Sequence, residues 1–501
     1  MAYVRTVKTA SGARAVQIVW SSRRGSRSIE HIGSAHDEDE LEALKAAARE
    51  RLAAGQAELD LGLDGPGPGG PLPITSSRTG HLVDAVERAY RVLGLEDAAG
   101  GDEVFRHLVL ARIIEPTSKQ DSLRVLEEAG VRPVSYPTLN RRLPAYAREE
   151  WRQRLSAACA AHARLGPASL VLYDVSTLYF EADKGDGFRE PGFSKERRLE
   201  PQITIGLLTG QDGFPLMLSA FEGNRAETRT MLPVIEKFMT AHQLPDVTVV
   251  ADAGMISDAN MKAIEAAGLS FILGMKVPDV PYAVDAWRRE HPGQEIPDGH
   301  VFTQPWPAGP KDKRRDQVTC YQYRADRARR TLHGIDEQVA KAAKAVAGLA
   351  PVKRNRFIQL EGAVKSVNRE LEDKARTLAG IKGYKTNLAA TPDGEPVTAD
   401  FVIGSYHELW NIEKSFRMSK HDLKARPIYH RKRESIDAHL SVVFAALAVT
   451  RFIETRTGWS IKKFVRTARR YRTIQIRAGQ LTITAQDPLP ADLRDALALI
   501  K

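Results

Sequence analysis

The chain has 501 residues, of which 43% are hydrophobic and 27% charged, and its net charge is +10 at pH 7. This length allows about two to four domains with a sizeable core, and the composition is that of an ordinary soluble protein. Two cysteines exclude a disulfide framework and a cysteine-based zinc site. The excess of basic residues favours a polyanionic partner, most often nucleic acid.

No signal or membrane-spanning segment is expected. The first residues, M-A-Y-V-R-T, lack an apolar run. The longest apolar run, residues 440–449, is interrupted by Ser441 and is too short to cross a bilayer. It therefore predicts a core helix, and we expect a protein that works inside the cell without a membrane partner.

The first predicted unit, residues 1–60, combines a small β-hairpin with a helix. The run V-Q-I-V-W at 16–20 is typical of a strand, and residues 37–54 begin acidic and continue with Ala, Leu and Arg, which favours a helix. Residues 62–73 hold Gly or Pro at nine of twelve positions. This composition predicts a linker over 61–78.

Residues 79–165 are predicted to be helical. Between 118 and 143 a helix, a turn at Gly130 and a second helix follow one another. This order resembles a helix-turn-helix, a DNA-binding domain in which Arg141 and Arg142 would contact DNA. A plain helical bundle explains the same pattern equally well, so both interpretations stay open.

Residues 166–276 predict the first part of a catalytic core. Three strands come first, with a hairpin turn at 210–213 between the second and third, and a helix, a strand, a helix and a strand follow. This is the order of an RNase H-like mixed five-stranded sheet with helices. The predicted fold class is therefore α/β, with a helical N-terminal region that precedes the sheet.

An insertion at 277–395 interrupts this predicted core. It contains a strand-like run and a long charged helical section, so it is a β/helical insertion that is either a partner-contacting arm or plain scaffold. Residues 396–455 return to the core as its second part. Residues 456–501 form a basic C-terminal tail.

Three acidic residues are candidates for catalysis. Asp174 and Asp252 each end an apolar run that reads as a strand, and Glu413 lies on a late helix. Side chains at strand ends of an α/β core project where sites usually form. Two hard divalent cations held by carboxylates can activate a nucleophile and stabilise a leaving oxygen in phosphodiester chemistry. The alternative for each aspartate is a helix cap or a turn.

The segment that follows Glu413 is strongly basic. Residues 414–433 contain eight Lys or Arg and one acid, Asp422, so this segment should attract phosphates in a salt-dependent way. Lys414 and Arg417 are the first of these cations. Either of them could instead form a plain ion pair with Glu413.

The chain resembles insertion-sequence transposases of the DDE type, in the branch with a Tyr-Arg-Glu-Lys signature and an insertion between the second Asp and the Glu. Tyr406, Glu413 and Lys420 match the signature at its spacing, and Leu409 stands where Arg is expected. Arg417, one helical turn past Glu413, is a candidate substitute. Four other segments resemble the family: D-V-S-T-L-Y-F-E from residue 174, F-E-G-N-R-A-E from 221, A-D-A-G-M-I from 251 and E-P-T-S-K at 115–119.

This resemblance implies an enzyme that binds the ends of its own insertion sequence and catalyses DNA cleavage and strand transfer of the cut-and-paste type. Asp174, Asp252 and Glu413 would bind two Mg²⁺ ions, for which Mn²⁺ can substitute. Tyr406 and Lys420 would hold phosphates of the terminal nucleotides. Its partners would be double-stranded DNA, as terminal inverted repeats and as target, and a second copy in a homodimeric synaptic complex. The resemblance also implies a bacterial cytoplasmic protein that is associated with the nucleoid when it acts.

Two other functions fit parts of the same pattern. One is a catalytically inactive DNA-binding relative, which the absent signature Arg favours and the intact carboxylates oppose. The other is a different RNase H-like DNA nuclease, which the long insertion and the Tyr-Glu-Lys spacing oppose.

Overall fold

The computed structural model describes residues 2–9, 12–21, 27–53, 72–166, 169–181, 184–192, 199–244, 247–255, 258–309, 314–351, 355–361, 364–478 and 480–501. The chain divides into two compact units. The smaller contains residues 1–74 and 476–483, and the larger contains 75–475 and 484–501.

The smaller unit begins with an antiparallel sheet on which a helix packs. Its strands, in the order β1-β2-β3, are β1 (Ala2–Lys8), β2 (Arg14–Ser21) and β3 (Arg27–Ala35), and the helix is α1 (Glu38–Ala53). Val16 and Ile18 of β2 are buried against Leu41 and Ala48 of α1. The sequence predicted a two-stranded hairpin with a helix, and the structure has a three-stranded sheet with a helix. Most of the predicted linker, 61–71, lies outside the described residues, and its last part is a strand, β4 (Ile74–Arg78).

The larger unit opens with the helices that the sequence predicted. They are α2 (Gly80–Val92), α3 (Leu95–Ala98), α4 (Glu103–Ile114), α5 (Asp121–Glu128), α6 (Tyr136–Tyr146) and α7 (Glu149–Ala163). Phe105, Tyr146 and Trp151 pack their rings together with centroids 4.9–5.2 Å apart. This aromatic cluster ties α4, α6 and α7 into one core.

The predicted five strands form and lie side by side. They are β5 (Leu170–Tyr179), β6 (Gln202–Gly210), β7 (Pro215–Glu222), β8 (Thr248–Ala251) and β9 (Ser270–Met275), in the spatial order β9-β8-β5-β6-β7. Helices α8 (Met231–His242) and α9 (Asp258–Ala266) precede β8 and β9. β8 pairs in parallel with both β5 and β9, whereas β6 pairs antiparallel with both β5 and β7. The sheet is therefore mixed.

The insertion extends this sheet, so the prediction of five strands is wrong in number. The structure has α10 (Tyr282–Glu290), β10 (Val301–Trp306), β11 (Gln317–Tyr323), α11 (Ala325–Val346), β12 (Ile358–Glu361), β13 (Val364–Val367), α12 (Arg369–Thr377) and β14 (Ile381–Thr386). β14 pairs with β9, and the eight-stranded order among the described residues is β10-β11-β14-β9-β8-β5-β6-β7. The reason is that β9 would otherwise leave its backbone groups unpaired at an open edge. The helical section is also interrupted by the β12–β13 hairpin.

The last part of the chain is mainly helical. It contains α13 (Ala399–His407), α14 (Leu409–Arg417), a π-helical turn (Met418–Asp422), α15 (Arg433–Thr457), α16 (Ile461–Ala468), β15 (Thr473–Ala478), β16 (Leu481–Gln486) and α17 (Ala491–Leu499). Among the described residues, only α15 is long and apolar enough to cross a membrane by length and composition, and 94% of that stretch is buried. It contacts α2, α4, α6 and β7. It is thus the core helix that the apolar run predicted.

Candidate active site

Asp174 and Asp252 lie on neighbouring parallel strands. The register of β5 and β8 pairs Leu170 with Thr248 and Leu172 with Val250. The same register continued by two residues aligns Asp174 with Asp252, at the carboxyl end of β8. Neighbouring strands are about 4.8 Å apart, and aligned residues share a face. Asp174 is half-buried and Asp252 is exposed, so solvent reaches this edge of the sheet.

Glu413 reaches the same sheet on α14, which packs against β5. One face of the helix is attached to the turn between β6 and β7. Asn411 Nδ2 donates to the Gln211 carbonyl at 3.0 Å, and Ser415 Oγ donates to the Gly213 carbonyl at 2.7 Å. Because Asn411 and Ser415 face the sheet, Glu413 is left on the exposed side of the helix.

Gly213 is required for this attachment. Its φ of +79° is one that residues with a side chain rarely adopt. A Cβ there would also lie 2.7 Å from the Asn411 carbonyl oxygen. The turn that seats the Glu413 helix therefore depends on a glycine.

Tyr406 connects the acidic groups. Its hydroxyl donates a hydrogen bond to Asp252 Oδ1. Burial raises the pKa of the Tyr406 phenol well above its ordinary value, and the hydrogen bond to Asp252 and the charges of Asp252 and Glu413 raise this pKa further. The phenol therefore stays protonated and remains a donor. The hydroxyl bonds Asp252 directly, whereas Glu413 contributes to its pKa through charge alone.

Two charged residues at this site were not assigned a role from the sequence. Lys382 of β14 donates from Nζ to the Tyr406 hydroxyl at 3.2 Å, and burial lowers the pKa of Lys382 while the charge of Asp252 raises it. Glu227 lies beside the residues that follow Asp252, since its Oε2 is 3.5 Å from where a Cβ of Gly254 would be. No sequence signal marks Lys382, because its strand belongs to the insertion. Glu227 ends the family-like segment F-E-G-N-R-A-E, which was a usable signal.

The predicted phosphate contacts after Glu413 fall in different environments. Arg417 is exposed at the end of α14, and Lys420 is half-buried in the π-helical turn. Lys414 forms an ion pair with the buried carboxylate of Glu454, with Nζ and Oε2 3.0 Å apart. Tyr406 is buried and bonded to Asp252. Of these residues, Arg417 is the one whose side chain is most open to a phosphate.

The two arginines predicted to contact DNA from α6 also differ. Arg141 is exposed, and one of its guanidinium nitrogens donates to Thr138 Oγ1 at 3.2 Å. Arg142 donates from Nε to Asp102 Oδ2 at 3.0 Å, and this ion pair raises the pKa of Arg142. Asp102 also accepts from Tyr146 Oη and from the Phe105 amide, both at 2.9 Å, and so caps α4. Arg142 thus has a structural role, whatever else it contacts.

The donor atoms suit a hard divalent cation. Asp174 and Asp252, which the continued register aligns, both carry carboxylate oxygens, and such oxygens are the ligands that Mg²⁺ prefers. Within the described ranges, no three His, Cys, Asp or Glu side chains are grouped closely enough to hold a metal ion. The aspartate pair fits such an ion, and a third ligand would have to join it.

Comparison with known proteins assigns the class. Residues 166–449, more than half of the chain, match the family described as "Transposase DDE domain". Among solved structures, the chain is similar to the piggyBac transposase in the cryo-EM structure of its synaptic complex with hairpin DNA, with 11% sequence identity and a TM-score of 0.37 over 78% of this chain and 70% of that chain. A search of curated proteins gives no match.

The family match defines a transposase, an enzyme class of mobile genetic elements. The chain belongs to the DDE transposase family. The predicted family is thereby confirmed. Members of this family are nucleases and transesterases that generally use a divalent metal ion.

Proposed function

We propose that this protein is the transposase of an insertion sequence, which binds the ends of its own element and moves it by cut-and-paste DNA cleavage and strand transfer. The observation that supports the proposal is the parallel register of β5 and β8, which aligns Asp174 with Asp252 when it is continued by two residues, together with the packing of the Glu413 helix against β5. The spatial order of the five core strands, β5 to β9, is the one expected of an RNase H-like core. Such a core suits an acidic site at its strand ends.

In this proposal, Asp174, Asp252 and Glu413 hold two Mg²⁺ ions, or Mn²⁺ in their place. When bound, these ions lower the pKa of a water and stabilise charge on the scissile phosphate. Tyr406 positions Asp252 through its hydrogen bond, and Lys382 holds the Tyr406 hydroxyl from the other side. Arg417 and Lys420 bind phosphates of the terminal nucleotides, with Arg417 in place of the absent signature arginine.

The proposal includes two macromolecular partners and a location. The first partner is double-stranded DNA, both as the terminal inverted repeats and as the target. The second is another copy of the chain, because synapsis of two ends needs two active sites. The protein would work in the bacterial cytoplasm on nucleoid DNA.

The test is cleavage of DNA that carries the element's own ends, with Mg²⁺ varied. Wild type is expected to cut at the ends only when Mg²⁺ is present. Glu413→Gln is expected to bind the same DNA and not cut it, because the amide is a poor ligand for a hard cation. Glu181→Gln, an exposed acid that follows β5, is the matched control and should cut normally. Normal cleavage by Glu413→Gln would remove Glu413 from the site.

One observation favours a second function, DNA binding without cleavage. Leu409, at the position of the signature arginine, is only 9% exposed and packs in the core. It therefore cannot contact a phosphate as arginine would. Wild-type protein that binds the ends and never cuts them, at any Mg²⁺ or Mn²⁺ concentration, would establish this second function.

Moving Tyr406 should weaken the proposed metal site. A Cβ at Gly274 would lie 2.5–2.7 Å from the Tyr406 ring and hydroxyl, so Gly274→Ala must displace the ring from Asp252. Loss of a group that orients a metal ligand typically costs about 10- to 100-fold in metal affinity. We expect Gly274→Ala and Tyr406→Phe each to raise the Mg²⁺ concentration for half-maximal cleavage by at least about tenfold.

Gly404→Ala is the matched control for this experiment. Gly404 lies on the Tyr406 helix, and a Cβ there meets nothing within 4 Å. The Gly404→Ala variant should need the same Mg²⁺ concentration for half-maximal cleavage as wild type. An unchanged requirement in Tyr406→Phe would show that the hydroxyl does not position Asp252.

A further inference from the structure

A second basic site lies away from the acidic residues. It is a cleft of 620 Å³ between the residues around the C-terminal end of α4 and the segment 424–430. We call it the basic cleft. Its charged lining consists of Arg112, Lys119, Lys424 and Arg426, together with His430 and His439, and no Asp or Glu is among the described residues that line it. The E-P-T-S-K segment, which the acidic site does not use, supplies Lys119.

Three of the cations that line the basic cleft, Arg112, Lys119 and Lys424, have no acidic partner among the described residues. Glu115 and Asp121, the acids nearest in sequence to Arg112 and Lys119, instead bind Arg124 at 2.7 and 2.8 Å. Asp422, two residues before Lys424, pairs with Lys462 at 2.9 Å. Uncompensated cations in a partly buried cleft repel one another and create a positive potential that favours an anion.

The two histidines of the cleft are affected first by burial and then by these charges. Burial lowers the pKa of His430 to about 4, and the charges of Lys119 and Arg112 contribute to that decrease. Burial also lowers the pKa of His439, which feels the charge of Arg112. Burial lowers the pKa of Arg112 itself to about 10. The cleft therefore holds several positive charges at close quarters before any ligand arrives.

The basic cleft is linked to the strand that carries Asp174. The Ile428 amide donates to the Tyr179 carbonyl at 3.1 Å, and the Arg426 guanidinium lies 5.6 Å from the centre of the Tyr179 ring. Tyr179 is five residues beyond Asp174 on β5. At about 3.3 Å per residue, the linked positions are roughly 16 Å apart. One DNA strand advances about 3.4 Å per nucleotide along the helix axis, so this distance corresponds to roughly five nucleotides.

We propose that the basic cleft binds a backbone phosphate of the transposon DNA, roughly five nucleotides from the phosphate that is cut. The inference rests on the proposed function for the identity of the DNA. It adds a contact that neither the signature residues nor the helix-turn-helix prediction supplies. The cleft would fix the register of the DNA along β5, so that the scissile phosphate meets the acidic edge.

The test measures binding of an element-end duplex by fluorescence anisotropy as salt is varied. The double variant Lys119→Gln/Lys424→Gln removes two cleft charges and leaves the buried Arg112 in place. We expect it to lose about tenfold in affinity and to reduce the slope of log K against log salt by about one, as for one lost phosphate contact. Lys344→Gln, an exposed lysine on α11, is the control and should change neither value. A thermal melt of each variant checks folding.

A methylphosphonate scan of the duplex then locates the contact. Neutralising the bound phosphate should weaken wild type by about tenfold and should leave the double variant unaffected, since that contact is already lost. Equal losses in both proteins at every scanned position would overturn the proposal. An unchanged salt slope in the double variant would also overturn the proposal. This holds even if inorganic phosphate shifted the NMR resonances of His430 and His439, because the cleft would then bind free phosphate and not DNA.

The two proposals fail in different ways. A double variant that loses DNA affinity while wild type never cuts DNA would retain the phosphate cleft and reject the cleavage function. A double variant that binds normally while wild type cuts would reject the cleft alone.

Discussion

Asp174→Asn and Asp252→Asn are each expected to reduce metal-dependent cleavage of the element ends by at least about a thousandfold. Bound cations supply several kcal/mol of charge stabilisation in such reactions, and each 1.4 kcal/mol or so corresponds to a factor of ten in rate. The two aspartates are aligned on adjacent strands and would hold the same ions. We therefore expect the double variant to be no slower than either single one, because groups that act as a unit are not additive.

Single-turnover cleavage at saturating protein is the measurement. It separates the chemical step from DNA binding, which should stay within a few-fold of wild type. The exposed Glu181 again provides the control. If Asp174→Asn kept cleavage within tenfold of wild type while Asp252→Asn abolished it, the aligned pair would not be a shared metal site.

Asp102→Ala is expected to be among the most destabilising substitutions in the helical region. Its carboxylate is 3% exposed, caps α4 through the Phe105 amide and accepts from the buried Tyr146 hydroxyl. Loss of the cap costs about 1 kcal/mol, and an unsatisfied buried hydroxyl costs about 1–3 kcal/mol. We expect a loss of about 3 kcal/mol in the free energy of unfolding, measured by urea denaturation.

The two arginines of α6 complete this experiment. Arg142→Ala should lose less stability than Asp102→Ala, because the Asp102 carboxylate keeps its two other donors. Arg141→Ala should unfold as wild type does, because its side chain is exposed. If Arg142→Ala weakened DNA binding without any change in unfolding, Arg142 would be a DNA contact as predicted, and the pairing with Asp102 would be dispensable.

The core of the fold was predictable because its signals are local. Each of the five core strands, β5 to β9, is a short apolar run bounded by turn residues. Asp174 lies within one such run and Asp252 directly follows another. The sheet extension was not predictable as such. β11 reads as a strand, but nothing near residues 317–323 indicates that it lies two strands away from β9. That pairing depends on the open edge of β9, which is a property of the folded sheet.

The site was predictable as a set of acids but not as a set of contacts. Tyr406 fits the family signature for a phosphate contact, yet its hydroxyl bonds to Asp252, because Gly274 leaves room for the ring beside the sheet. Lys382 joins them from a strand that is 130 residues beyond Asp252 in the chain. Local patterns do not carry such long-range proximity. The late helix predicted to carry Glu413 is α14, and a separate helix, α13, precedes it and carries Tyr406.

The position of α15 has a consequence for synthesis of the protein on the ribosome. All three acids are translated before Arg433, but the helix that contacts α2, α4, α6 and β7 comes after them. Until α15 emerges, neither the N-terminal helices nor the β7 end of the sheet can bury the apolar faces that pack on it. A chain released early would thus carry all three acids of the proposed site on an incomplete core. If the proposed function holds, interrupted translation would release those acids only in an incompletely folded fragment.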